Sequence, residues 1–79
     1  LVNHVVQQAE LIGFCQQMAI KIMKNSPNAI DSAIKCINAG FSDDKQGYRV
    51  EIEEFGKCFG TEEFNEGTSA FLEKRKAQF

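Results

Sequence analysis

The sequence predicts an all-α fold, a small bundle of about four helices preceded by the remnant of a β-strand. Apolar residues recur at helical spacing in four segments, and proline, glycine or hydroxyl residues stand at the segment boundaries. With 79 residues, 43% hydrophobic and 25% charged, the chain has the composition of one small globular domain. A domain of this size buries only about 60% of the surface that its unfolded chain exposes, so we expect modest stability without a partner.

The first segment, LVNHVV, is rich in β-branched residues and is typical of the end of a buried strand. A lone strand has no pairing partner, and the chain has no initiator methionine, so we expect it to be a carboxy-terminal piece of a longer protein. A long amphipathic helix is predicted from Gln8 to about Asn25. Its apolar positions follow helical spacing and include Leu11, Cys15, Met18 and Ile22.

A second helix is predicted from Pro27 to about Ala39. Proline is tolerated at the first helical position, and Asn25 or Ser26 can cap it. Gly40 is well placed to end this helix in the left-handed conformation.

A third helix is predicted from the stripe Tyr48, Ile52, Phe55 and Phe59, with its end at Gly60. Its cap is expected at Ser42, Asp43 or Asp44. Thr61 then caps a fourth helix that carries Glu62 and Glu63 at its positive end and the cations of residues 74–76 at its negative end.

Composition excludes several classes of function. A net charge of −2 gives no reason to expect nucleic acid as a partner, and no apolar run reaches the roughly 20 residues of a membrane span. The cysteines, Cys15, Cys36 and Cys58, are odd in number and widely spaced, so they indicate reduced thiols packed as small core residues in a cytoplasmic protein. The single histidine, His4, lacks partners at metal or catalytic-triad spacing, so no metal site is expected.

The glutamates do not predict catalysis either. A general acid needs a desolvated carboxyl, whereas Glu51, Glu53, Glu54, Glu62, Glu63 and Glu66 lie among polar residues that helical spacing directs mostly toward solvent. We therefore predict no catalytic residue in this chain.

The carboxy-terminal stretch EGTSAFLEKRKAQF leaves two interpretations open. Glycine within a helix, such as Gly67, costs about 1 kcal/mol of stability relative to alanine. Either the close approach of a ligand or another backbone requires glycine here, or Gly67 has no special role. Likewise Lys74, Arg75 and Lys76 either complement the helix dipole or supply positive charge for a phosphorylated or acidic partner.

These residues together resemble a known family. The order NSPNAIDSAIKCIN, EIEEFGKCFG and TEEFNEGTSAFLEKRKAQF is similar to the carboxy-terminal helical region of the crotonase superfamily, the enoyl-CoA hydratases and isomerases. The most specific parts are EGxxAFxEKR and SPxAxxxxK, and LVNHVV resembles the last strand of that family's catalytic core. The chain departs from the common pattern at Gln7 and Ala77, where many members have proline, which leaves the subfamily open.

The resemblance implies that residues 1–79 are the helical oligomerisation domain of an enzyme whose amino-terminal catalytic core, with its oxyanion hole and glutamates, is absent. By motif position, Phe55 and Phe71 match residues that wall the acyl-CoA site, and Lys74 matches a residue near a CoA phosphate. The parent would hydrate 2-enoyl-CoA thioesters in fatty-acid or short-chain acyl-CoA metabolism, as a trimer or dimer of trimers. Coenzyme A would enter as the substrate's thioester and not as a bound cofactor.

Two interpretations from different classes follow. In the first, the chain contributes trimerisation and part of the CoA pocket to that enzyme, has no activity alone and self-associates. In the second, it is a freestanding helical module for protein-protein interaction without catalysis. An upstream core with a glycine-rich oxyanion segment would decide for the first.

Overall fold

The computed structural model describes residues 1–42 and 46–79. Within them the chain forms a short 3₁₀ turn and four α-helices: the turn Gln8–Glu10, α1 Leu11–Met23, α2 Pro27–Gly40, α3 Gly47–Cys58 and α4 Glu62–Leu72. The all-α prediction is confirmed. The strand is not: residues 1–7 form no helix or strand, as expected for a segment with nothing to pair with.

The start of α2 follows local rules. The Ser26 hydroxyl accepts a hydrogen bond from the Ala29 amide at 3.1 Å, and Pro27 is the first helical residue. The predicted left-handed stop at Gly40 is wrong, because Gly40 is the last helical residue and the chain continues through Phe41 with a negative φ of −97°.

The two helices approach each other closely where α2 ends and α3 begins. A Cβ atom at Gly47 would lie 3.1 Å from the Gly40 Cα atom, so this contact favours glycine. Gln46 holds the N-cap position of α3, so Ser42 is not the cap that was predicted; its hydroxyl donates to the Ala39 carbonyl at 2.8 Å. The other two predicted caps, Asp43 and Asp44, lie outside the described residues.

The junction between α3 and α4 agrees with the sequence in part. α3 ends at Cys58 and Phe59 is extended, so the predicted end at Gly60 lies two residues beyond the helix; Gly60 itself has a φ of +82°, in the left-handed region. The Thr61 hydroxyl then accepts from the Phe64 amide at 3.1 Å and caps α4. Glu62 and Glu63 lie in the first turn, as predicted.

The helices form an open arrangement. α2 packs against α3, whereas α1 contacts mainly the 3₁₀ turn before it. The radius of gyration is 16.2 Å, compared with about 12 Å for a compact domain of this length. The accessible surface is 7188 Å², about 2,400 Å² more than a compact monomer of this mass would expose.

Most of the predicted apolar stripes are exposed as a result. Among the described residues only Ala70 and Glu54 are buried. In residues 1–42 and 46–79 these faces of α1 and α3 stay largely exposed, although the Phe59 ring contacts those of Phe55 and Phe64. Exposed stripe residues include Leu11, Met18, Ile22, Tyr48, Ile52, Phe55 and Phe59.

Candidate functional site

The segment after α4 reverses direction at Lys74. This residue has a φ of +56°, in the left-handed region that favours glycine. Its amide donates to the Phe71 carbonyl at 3.3 Å, and the Arg75 amide donates to the Ala70 carbonyl at 3.0 Å. These two bonds form a Schellman motif, with lysine where glycine is usual. The cations of residues 74–76, predicted at the negative end of the fourth helix, therefore follow the helix end and do not lie in its last turn.

The reversed segment is held by one carboxylate. Glu66 accepts from both terminal nitrogens of Arg75, at 2.8 Å each, and from the Gln78 amide at 3.0 Å. We call these three residues the tail clamp. The Arg75 side chain is 40% exposed and the Glu66 side chain 25%, so water reaches the pair only in part.

Both ionised groups of the clamp are stabilised in their charged forms. The hydrogen bonds from Arg75 and then from the Gln78 amide lower the pKa of Glu66 to about 2. The hydrogen bonds to Glu66 and then to Glu73 raise the pKa of Arg75. Arg75 is thus engaged by carboxylates of its own chain, which leaves Lys74 and Lys76 as the cations of this segment without an ion pair in the described structure.

Gly67 faces the Phe79 ring of the same chain. A Cβ atom at Gly67 would lie 3.7 and 3.8 Å from two carbons of the Phe79 ring. These are ordinary van der Waals distances, so the described neighbours tolerate alanine there. Among the described residues, none approaches Gly67 closely enough to require glycine.

The predicted pocket residues lie on two helices. Phe71 lies in the last turn of α4 and Lys74 lies two residues beyond the helix, joined to Phe71 by a backbone hydrogen bond of the Schellman motif. Phe55 lies on α3, with its ring centroid 5.0 Å from that of Phe59. The Phe59 ring is in turn 4.8 Å from Phe64 of α4, which gives an aromatic row between the helices. Phe55 is 66% and Phe71 83% exposed, so the chain presents them outward.

A second polar cluster joins α4 to the start of α2. Glu63 accepts from the Asn28 amide and side-chain nitrogen, at 3.1 Å each, and from the Ser26 hydroxyl. The sequence marked Glu63 only as a complement to its own helix dipole. Nothing local shows that its carboxylate also serves the N-terminus of another helix, which is 35 residues away along the chain.

Glu54 corrects the prediction that the glutamates face solvent. It is 7% exposed, accepts from Lys57 at 2.8 Å and accepts from the Ser32 hydroxyl at 3.0 Å. The bond from Lys57, followed by that from Ser32, lowers the pKa of Glu54. A general acid at neutral pH needs the opposite shift, so burial here does not produce acid catalysis.

A cleft lies between these two carboxylates. Its volume is about 350 Å³, and Glu54, Glu63, Lys35 and Phe79 are among the residues that line it. Side chains from α2, α3 and the region of α4 thus line one cleft.

The histidine and the cysteines are the remaining candidate residues of the sequence. His4 packs against Phe14, with ring centroids 5.0 Å apart. Cys36 and Cys58 are half-buried, and Cys15 is exposed, so its prediction as a core residue is wrong within this chain. In the described ranges, no three histidine, cysteine or acidic residues cluster closely enough to hold a metal ion. No helix in residues 1–42 or 46–79 has the length and apolar character needed to span a bilayer.

Residues 1–79 match the family model described as enoyl-CoA hydratase/isomerase. The chain is 39% identical over 79 residues to a short-chain-enoyl-CoA hydratase of Clostridium acetobutylicum, covering 99% of this chain and 30% of the relative. It is 39% identical over 80 residues to a crotonyl-CoA hydratase of Syntrophomonas wolfei, covering 100% of this chain and 31% of the relative. A probable enoyl-CoA hydratase of Bacillus subtilis is 34% identical over 73 residues, which cover 91% of this chain and 28% of the relative. The chain spans less than a third of these relatives.

Proposed function

Because the chain belongs to the enoyl-CoA hydratase/isomerase family, we propose that it is the carboxy-terminal helical region of an enzyme that adds water to 2-enoyl-CoA thioesters. In this proposal it contributes subunit contacts and part of the acyl-CoA pocket. The observation that carries the proposal is the match over the whole chain to relatives named as hydratases of enoyl-CoA and crotonyl-CoA.

The exposed surface supports a role within a larger assembly. The excess over a compact monomer, about 2,400 Å², is well above the roughly 800 Å² that each partner buries in a standard interface. We propose that a catalytic core and neighbouring subunits, in a trimer or dimer of trimers, cover this surface. The free thiols are compatible with a cytoplasmic location, which we include in the proposal.

The chemistry is assigned to residues outside this chain. Glu54 and Glu66 are the described carboxyl groups with shifted pKa values, and both shifts are downward. Both groups are engaged in structural hydrogen bonds, which supports the proposal that this chain supplies no general acid or base. We expect no hydration of crotonyl-CoA above the uncatalysed rate by residues 1–79 alone.

The proposed contribution to the substrate site comes from three exposed side chains. Phe55 and Phe71 would wall the acyl-CoA pocket once other elements cover them. Lys74 would place its ammonium near a CoA phosphate, which requires a cation without an internal partner. Its position beside Arg75, whose charge is paired with Glu66 and Glu73, is compatible with that role.

The test is Lys74→Ala in the full-length hydratase that contains this segment. A charge-assisted hydrogen bond is worth about 1.5–3 kcal/mol, and exposure reduces it, so KM should rise several-fold to about tenfold. The kcat value should change little, because the contact is remote from the reacting carbons and is equal in ground and transition states. Added salt should shrink the effect.

The matched control is Lys76→Ala, which removes the same charge two residues away. Unchanged kinetics in Lys74→Ala would contradict the phosphate role, and loss of the oligomer would indicate a structural lysine. The same exposed apolar faces also suit a freestanding interaction module. Binding of the chain to an unrelated protein, with no upstream catalytic core encoded beside it, would favour that alternative.

A further inference from the structure

We infer that Glu66 is a positioning residue for Lys74: by holding Arg75 and the Gln78 amide, its carboxylate fixes the turn that presents the Lys74 ammonium to a phosphate. The inference rests on the proposed function and goes beyond it. It assigns to the substrate site a residue that does not touch the substrate.

The conformation of Lys74 is the starting point. A non-glycine residue in the left-handed region is strained by its Cβ atom, so such a residue persists only where its surroundings impose it. The Schellman bonds to Phe71 and Ala70 fix the chain before the turn. Something must also fix the chain after it.

The tail clamp supplies that second restraint. Arg75, the next residue, is bound in a two-point geometry by Glu66, which resists rotation better than a single contact. The Gln78 amide binds the same carboxylate, so the chain is fixed again three residues further on. Lys74 therefore lies between two anchored segments.

The charges of the clamp also direct ligand chemistry to Lys74. Glu66 and Glu73 engage the Arg75 guanidinium, which removes it as a competing phosphate ligand. The Lys74 ammonium makes no ion pair with the described residues, so it is available. A cation on a fixed turn loses less conformational freedom on binding than one on a mobile tail.

The experiment uses the full-length hydratase with Glu66→Gln, which keeps the shape of the side chain and removes its charge. We expect KM for a CoA ester to rise about two- to fivefold with kcat preserved, a smaller change than for Lys74→Ala. The double variant Glu66→Gln with Lys74→Ala should be no worse than Lys74→Ala alone, because Glu66 acts through Lys74. Glu53→Gln is the matched control, since Glu53 pairs with Arg49 at 3.3 Å on the exposed side of α3.

The outcomes separate the two proposals. The positioning role would be overturned if the KM of the double variant rose by the product of the two single-variant increases. It would also be overturned if Glu66→Gln kept the wild-type KM while Lys74→Ala raised it. Either result would leave the pocket role of Lys74 standing. Wild-type KM in Lys74→Ala would overturn both. If Glu66→Gln does not fold, Arg75→Gln breaks the same clamp from its other side and carries the same expectations.

Discussion

Glu63 of α4 accepts two hydrogen bonds from Asn28 at the start of α2, one from its backbone amide and one from its side chain, each at 3.1 Å. The carboxylate of one helix thus satisfies the unpaired amide of another. Because charge and amide lie at the positive end of the α2 dipole, this contact stabilises the helix start and ties α4 to it.

Glu63→Gln should loosen this junction. We expect the free energy of local unfolding at the start of α2 to fall by about 1–2 kcal/mol, since a charge-assisted hydrogen bond becomes a neutral one. Faster amide exchange at Asn28 and Ala29 is the measurement. Glu62→Gln is the control, because both glutamates lie in the first turn of α4 and only Glu63 is described in contact with α2. If both variants increased amide exchange at Asn28 and Ala29 equally, the proposed capping of α2 by Glu63 would be contradicted.

Lys74→Gly should stabilise the end of α4 relative to Lys74→Ala. Glycine relieves the left-handed conformation, and the expected difference is about 1 kcal/mol. Urea unfolding followed at the α4 amides by NMR would measure it. Lys76→Gly and Lys76→Ala form the matched pair without positive φ, where glycine should give no such gain. Both Lys74 variants lose the ammonium, so both should share the KM defect of the full-length enzyme.

Two glycines should respond to alanine with opposite signs. Gly67→Ala adds a methyl group at ordinary distance from Phe79 within a helix, so we expect a gain of about 0.5–1 kcal/mol. Gly60→Ala forces alanine to a φ of +82°, so we expect a loss of about 1 kcal/mol or more. The same unfolding measurement compares them. A destabilised Gly67→Ala would show that something besides the Phe79 ring needs the space.

Acid should release the tail clamp. The pKa of Glu66 falls from an ordinary value of 4.5 to about 2 in the folded chain. A lowered folded pKa means that the ionised form stabilises the fold, fully above about pH 5 and progressively less toward pH 2. The Gln78 amide resonance should therefore titrate in that window.

Other charged groups lie near Glu66 and can also affect the Gln78 amide resonance as the pH changes. Arg75 faces it directly, Glu73 touches Arg75, and Glu62 and Glu63 line the adjacent hollow. Glu66→Gln is the control that isolates its contribution, because the remaining carboxyl groups still titrate in that variant. A Gln78 resonance that titrates identically in both proteins would contradict the assignment.

The isolated chain should self-associate through its exposed apolar faces. Light scattering at high protein concentration should give a mass above that of the monomer. Ile20→Lys on the exposed side of α1 should shift the mass downward, whereas Gln17→Lys on the same helix should not. A monomer mass for the unmodified chain at all concentrations would count against the proposed assembly.

Local signals carried the successful predictions. The caps at Ser26 and Thr61 depend on residues three positions away, so a short stretch of sequence determines them. The four helices followed from apolar spacing for the same reason. Apolar spacing does not show which element covers a helix face, because that element can lie outside these residues. The stripes of α1 and α3 are accordingly exposed here.

The tail clamp could not be predicted in this way. Glu66 and Arg75 are nine residues apart and meet because the chain reverses at Lys74. A lysine in the left-handed region has no sequence signature, since that position usually belongs to glycine. The proposed pocket residues Phe55, Phe71 and Lys74 came from family resemblance, and their role stays a prediction.

The open packing of α1 has a consequence for cooperativity. α2 and α3 are held to each other, and α4 is tied to α2 through Glu63, whereas α1 contacts mainly the turn that precedes it. Helices without tertiary support open locally at low free-energy cost. The monomer should therefore lack a single unfolding transition: α1 amides should exchange first, and only docking onto a partner surface would merge both parts into one cooperative unit.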